Sequence, residues 1–326
     1  MTALEEEGLL PEILQHVGQL SDLLTCTKIS RTWHAASQDV QPLHIGIGAI
    51  DRLPISMAGL TTMLQWLQRQ QSQRNLDNVH GLTLDVDEGF EIECHSKRHV
   101  LVFCQSVLTL AGCLPLLSCE LSGNLQLEAA ISLVPVSLQN FIINVTRYEQ
   151  PHIIQLSMFE RLVGLQTLSL DVEYQVSMNG NYAHVLLDAK LPSLQTLIVS
   201  PRMLKPASVI DWATFLPSLQ SINAHIPVFQ AQAMLAHPSL KHAKLTLIGD
   251  DLDSDDSGLD YLKCHVDCVL RIEEHSKLQS LALDCERVRV QLNIAKPNIS
   301  FDCGHGVSVR FRGRSKTSFL PITVRC

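Results

Sequence analysis

Aliphatic residues recur along the chain in a short phrase, Leu-x-x-Leu-x-x-Leu-x-Leu, with polar residues between them. At the end of the phrase the aliphatic residues alternate one by one with polar residues. Such alternation places them on one face of a short β-strand. The phrase therefore predicts a strand at each of its copies. The marker leucines of these copies, each followed by Gln or Lys, are Leu138, Leu165, Leu194, Leu219, Leu240 and Leu278.

The spacing of the marker leucines predicts a stack of repeated units. Successive intervals are 27, 29, 25, 21 and 38 residues, and the first four fall within the 20–29 residues typical of leucine-rich repeats. The acidic segment 249–258 predicts one surface insertion within the long fifth interval. Apolar residues three and four positions apart precede two phrases, at 209–216 and 228–235, and predict helices there. One helix and one strand cannot close a core alone, but stacked units can.

The predicted fold class is therefore α/β. Residues 41–326 are expected to form a leucine-rich-repeat solenoid, with a parallel sheet on its concave side and helices on its convex side. Strands at 43–47 and 80–86 and helices at 61–71 and 100–110 are expected to form more irregular repeats upstream. The alternative is a compact α/β domain whose strands are rich in leucine.

Residues 1–40 predict a separate, small all-α head. Pro11 suits the first turn of a helix, where the missing N–H is tolerated, and Leu14 lies on the apolar face of that helix. A second helix is expected to begin near Asp22, and a third to contain Trp33. These helices are too small to stabilise a core of their own.

The head resembles the F-box. The matching segments are 10–14 (Leu-Pro-Glu-Ile-Leu), 22–24 (Asp-Leu-Leu) and 29–33 (Ile-Ser-Arg-Thr-Trp), although the link between the first two is shorter than in the family. Together with the repeats, the chain resembles the F-box/leucine-rich-repeat family. The resemblance implies adaptor binding by Leu10, Pro11, Ile13, Leu14, Val17, Leu23, Leu24, Ile29 and Trp33.

The resemblance also implies a function. The head would dock onto the Skp-type adaptor of a cullin–RING (SCF-type) ubiquitin ligase, and the solenoid would hold an unknown target protein for ubiquitin conjugation. Chemistry would then be done by other subunits, with this chain supplying proximity. The alternative is a leucine-rich-repeat interaction scaffold unconnected to ubiquitin, in which the head only caps the first repeat.

The residues that alternate with the inward leucines are the candidates for binding the target. They form a polar, small and nearly uncharged set without aromatic anchors, and for any one of them a solvated sheet face is the simpler interpretation. The set does not suggest a basic pocket for a phosphate-rich cofactor. The candidates are Thr167, Ser169, Asp171, Thr196, Ile198, Ser221, Asn223, His225, His242, Lys244, Ser280 and Asp284.

Composition and charge narrow the function classes. The chain has 326 residues, is 46% hydrophobic and 18% charged, and has a net charge of -8, which argues for a folded protein and against nucleic-acid binding. The basic segment 310–316 is expected to be the solvated face of a last strand. No apolar run is long enough for a bilayer, and the acidic segment 1–8 does not begin like a secretory signal. An intracellular location, cytoplasmic or nuclear, is expected.

No motif predicts catalysis, a metal or a cofactor. Segment 251–262 resembles a calcium loop but lacks the glycine and the final glutamate that this geometry needs. Segment 313–317 ends like a phosphate loop without the upstream glycines. Two sets of cysteine and histidine lack the paired spacing of structural zinc sites. These sets are Cys94, His95, His99 and Cys104, and Cys264, His265 and Cys268.

Overall fold

The structure is a computed structural model that divides into two compact units. Unit 1 comprises Met1–Glu149, Arg161–Leu165 and Val172–Gln175, and unit 2 comprises Gln150–Glu160, Gln166–Asp171 and Val176–Cys326. The residues that the structure describes are 9–14, 16–17, 20–26, 28–38, 44–47, 57–86, 97–123, 127–145, 153–172, 184–206, 211–227, 230–248, 261–264, 267–272, 282–285, 288–292, 298–302, 308–312 and 320–322.

Unit 1 alternates helices with parallel strands. Its strands β1 to β4 pair in chain order and in parallel, with His44, Gly81, Ser118 and Asn140 at equivalent register positions. The two helices and two strands predicted upstream of the clear repeats are confirmed. The elements are α1 (Leu9–Leu14), α2 (Leu20–Cys26), α3 (Arg31–Gln38), β1 (His44–Ile47), α4 (Met57–Ser72), β2 (Gly81–Val86), α5 (Lys97–Ala111), β3 (Ser118–Gly123), α6 (Leu127–Leu133) and β4 (Asn140–Val145).

The head consists of three short helices that pack on one another and on the first strand. Both α1 and α2 contact α3, and α2 also contacts β1 and α4. At the start of α3, the backbone N–H of Trp33 donates to the hydroxyl of Ser30 at 3.2 Å, which satisfies one of the free donors of that helix. The predicted three-helix composition of the head is therefore confirmed. The apolar residues buried inside it are Leu10, Leu14, Leu20 and Leu23.

Unit 2 is built around a parallel ladder of strands in the order β6, β8, β9, β10, β12 and β14. Strand β7 pairs with β8 and β5, and β17 joins β14 antiparallel. Its elements are β5 (Ile153–Gln155), a 3-10 helix (Leu156–Phe159), β6 (Thr167–Val172), β7 (His184–Leu187), β8 (Thr196–Pro206), α7 (Trp212–Phe215), β9 (Ser221–Pro227), α8 (Ala231–Leu235), β10 (His242–Ile248), β11 (Tyr261–Cys264), β12 (Asp267–Ile272), β13 (Ala282–Cys285), β14 (Val288–Leu292), β15 (Asn298–Asp302), β16 (Ser308–Arg312) and β17 (Leu320–Ile322).

The aliphatic positions of the recurring phrase form the core. In contrast, the residues that alternate with them along β6, β8 and β9, such as Ser169 and Asn223, are at most half-buried. Alternation therefore separates a buried face from an outward face, as the sequence pattern predicts, and the α/β class with parallel strands is confirmed. The buried phrase residues are Leu138, Phe141, Ile143, Leu162, Leu165, Leu168, Leu170, Leu191, Leu194, Leu197, Val199, Leu216, Leu219, Ile222, Ala224, Leu240, Ala243 and Leu245.

The described copies of the phrase enter their strands through the same turn. The N–H of Leu165, Leu194 and Leu219 donates to the carbonyl three residues earlier, at 2.9, 3.2 and 3.0 Å. Equivalent sequences thus adopt equivalent local structures.

Backbone and serine hydrogen bonds join neighbouring copies at equivalent positions. The carbonyl of Gln195 accepts from the N–H groups of Gln220 and Ser221, at 2.8 and 2.9 Å, and the carbonyl of Gln220 accepts from the next copy in the same way. The hydroxyl of Ser218 donates to the carbonyl of Pro192 at 2.7 Å, and the hydroxyl of Ser239 to that of Pro217 at 3.2 Å. The serine of the recurring Pro-Ser-Leu sequence therefore forms hydrogen bonds between neighbouring copies.

The long interval between Leu240 and Leu278 contains two strands, β11 and β12, that the leucine phrase did not predict. The neighbour of β10 is β12, whereas β13, which follows the Leu278 copy, pairs with β11. Strand β12 carries Cys-Val-Leu-Arg without the leucine phrase, so the sequence pattern gave no marker for it. The acidic segment 249–258 lies outside the described residues.

Candidate interaction surfaces

The outward face of unit 2, opposite the buried leucines, brings most of the predicted target-binding residues together. One row of register partners runs through Thr167, Thr196, Ser221 and His242. The next row consists of Ser169, Ile198, Asn223 and Lys244. Three residues of this face are exposed: Asp171, His242 and Lys244. The other predicted target-binding residues on β6, β8 and β9, including His225, are half-buried.

One of the predicted target-binding residues lies outside this face. Asp284 lies in β13, where it pairs in register with Lys263 of β11, outside the ladder that contains β10. Its assignment to the same face was therefore wrong, because β12 takes the place beside β10. Ser280 lies outside the described residues.

Strands β12 and β14 add basic residues to this face that sequence reasoning missed. Arg271 is the register partner of Thr246, and Arg289 is the register partner of Val269, which itself pairs with Lys244. Register partners in a sheet lie on the same face.

The outward face of unit 1 is also polar and was not predicted as a site. The Nδ2 group of Asn144 lies 3.4 Å from a carboxylate oxygen of Glu120 and 3.5 Å from the hydroxyl of Ser122. His44 Nε2 lies 3.2 Å from the hydroxyl of Thr83. Burial lowers the pKa of His44, and the nearby carboxylate of Glu120 partly opposes that shift. The same alternation of apolar and polar residues in β2, β3 and β4 could have identified this face from the sequence.

The head divides the predicted adaptor-binding residues into two groups. Leu10, Leu14 and Leu23 are at most 2% exposed, so they form the core of the head and are not available at its surface, contrary to their predicted place on an adaptor-binding surface. Ile13 and Ile29 are 43% and 57% exposed. Val17, Leu24 and Trp33 are half-buried. The backbone of Pro11 lies in α1, and its side chain is outside the described residues.

The described residues contain no group of three metal-binding side chains that could hold an ion. Cys104, from the first of the two sets of cysteine and histidine, is buried in α5. Cys264 and Cys268 lie in β11 and β12, of which only the backbone is described, and the same holds for His99 in α5. Cys94, His95 and His265, like most of segment 251–262, lie outside the described part of the chain.

Helices within the described ranges are either too short or too polar to cross a bilayer. The longest of them, α4, has 16 residues and includes a charged residue, Arg69. A spanning helix needs about 20 apolar residues in a row.

The comparisons with known proteins add no family to these observations. The sequence matches no protein-family model and no curated protein sequence. Function must therefore be argued from the two surfaces described above, the exposed isoleucines of the head and the outward faces of the strands.

Proposed function

We propose that this chain is a substrate-recognition subunit of an SCF-type cullin–RING ubiquitin ligase. Its head would bind the Skp-type adaptor, and its leucine phrases would build a leucine-rich-repeat solenoid that holds the target protein. The observation that carries the proposal is a three-helix head with two exposed isoleucines, followed by parallel strands that include the repeated leucine phrase from Leu138 onwards. The chain would act as a scaffold in the cytoplasm or nucleus, and the ubiquitin transfer would be done by the other subunits.

The repeat part of the proposal is supported by the regularity of the contacts between copies. Copies that share the sequence Pro-Ser-Leu share one turn and one pair of backbone hydrogen bonds to the preceding copy, and Ser218 and Ser239 each add a hydroxyl hydrogen bond to it. In a repeat protein each unit contacts chiefly its neighbours, and such nearest-neighbour contacts supply most of the stability. The outward face of the sheet, with its polar, half-buried side chains, then remains available to bind a partner protein.

The head part of the proposal is supported by Ile13 and Ile29. Burying an isoleucine side chain is worth roughly 1.5–3 kcal/mol. A helical cap that only covers the first strand would gain nothing from leaving them 43% and 57% exposed. Binding of an adaptor that buries both isoleucines would gain that energy. Ile13 and Ile29 also lie within the sequence segments that resemble the F-box.

A second candidate function has its own supporting observation. Helix α2 contacts β1 and α4, which is what a cap over the first strand would do. Under this alternative the chain is an interaction scaffold without a link to ubiquitin. It predicts that deleting residues 1–40 lowers the melting temperature without the loss of any partner.

Adaptor capture by the full chain separates these two candidates. We expect the wild-type chain to co-purify with a purified Skp-type adaptor and the double variant Ile13→Ser with Ile29→Ser to lose it, because both contacts become polar. Val102→Ser is the matched control, since Val102 is 53% exposed on α5 and outside the head. If the wild-type chain captures no adaptor, the ligase proposal is wrong. If the isoleucine variant captures it as well as the control does, the adaptor surface is wrongly assigned.

A further inference from the structure

We draw no further inference here: the strongest candidate, the polar outward face of β1 to β4 in unit 1 with His44, Thr83, Glu120 and Asn144, is a sheet face for which nothing in the described part of the chain shows what covers it.

Discussion

His237 occupies the first position of its copy of the leucine phrase, where other copies have a leucine. Its side chain is buried, with 4% of its surface exposed. Its Nε2 lies 3.0 Å from the carbonyl oxygen of Leu216 in the preceding copy, and the N–H of Ser239 lies 3.2 Å from its Nδ1. The two contacts fit one neutral form, in which Nε2–H donates to Leu216 and Nδ1 accepts from Ser239. A second proton on Nδ1 would face the N–H of Ser239 and break that bond.

This arrangement makes stability depend on pH. Burial lowers the pKa of His237, and the hydrogen bond to Leu216 and the carboxylate of Asp211 partly oppose the shift. With the folded pKa below the unfolded value of about 6.5, the unfolded chain takes up the proton first as the pH falls. The contribution of His237 is therefore complete above about pH 6.5 and is lost as the pH falls towards the folded pKa. The slope is at most about 1.4 kcal/mol per pH unit for one proton.

Replacing His237 with leucine restores the phrase and removes the titration. At pH 8 the variant leaves the carbonyl of Leu216 and the N–H of Ser239 without this partner, at about 1–3 kcal/mol per buried group. Burial of the leucine side chain offsets part of that loss, so we expect the variant to be less stable by about 1–2 kcal/mol. Below pH 6.5 the wild-type chain alone loses stability through this residue, so the difference between the two should shrink by up to about 1.4 kcal/mol per unit.

Urea unfolding followed by far-ultraviolet circular dichroism at pH 8, 7, 6 and 5 measures this difference. Other histidines titrate in both proteins and cancel when the two free energies of unfolding are subtracted. A difference that stays constant with pH, or grows towards acid, would refute the neutral hydrogen-bonded assignment of His237.

Three further perturbations test the core, a helix end and a close contact. Leu168→Ala should lower the free energy of unfolding in urea by about 2–5 kcal/mol, because Leu168 is buried. Val163→Ala should change it by under about 0.5 kcal/mol, because Val163 is exposed. Similar losses of stability in the two variants would contradict the buried and exposed positions assigned to these residues. The guanidinium of Arg161 donates to two carbonyls at the carboxyl end of α6, so Arg161→Met should cost about 1–3 kcal/mol and speed hydrogen exchange in α6 alone. A Cβ on residue 81 would lie 2.3 Å from Nδ1 of His44, so Gly81→Ala should lower the melting temperature and the added His44→Ala should restore it; no restoration would reject the contact.

The sequence predicted the strands well where the leucine phrase is intact, because alternation alone decides which residues of a strand are buried. It failed between Leu240 and Leu278, where β12 has no such phrase and yet pairs with β10. Strand pairing depends on contacts between distant segments, and a local pattern contains no information on which neighbour is chosen. For the same reason Arg271 and Arg289 could not be placed beside Lys244 from the sequence.

The head shows a second limit. The spacing of Leu10 and Leu14, one helical turn apart, places them on the same face of α1. It does not say whether that face meets the other helices of the same chain or a partner protein. The structure places both in the core of the head and leaves Ile13, on the other side, 43% exposed.

Hydrogen exchange of the full chain with and without a Skp-type adaptor tests the proposed function most directly. If the head is the adaptor-binding surface, exchange should slow within residues 9–38 and stay unchanged in β6, β8, β9 and β10. Unchanged exchange throughout the head at a saturating adaptor concentration would contradict the account, and so would protection confined to the strands.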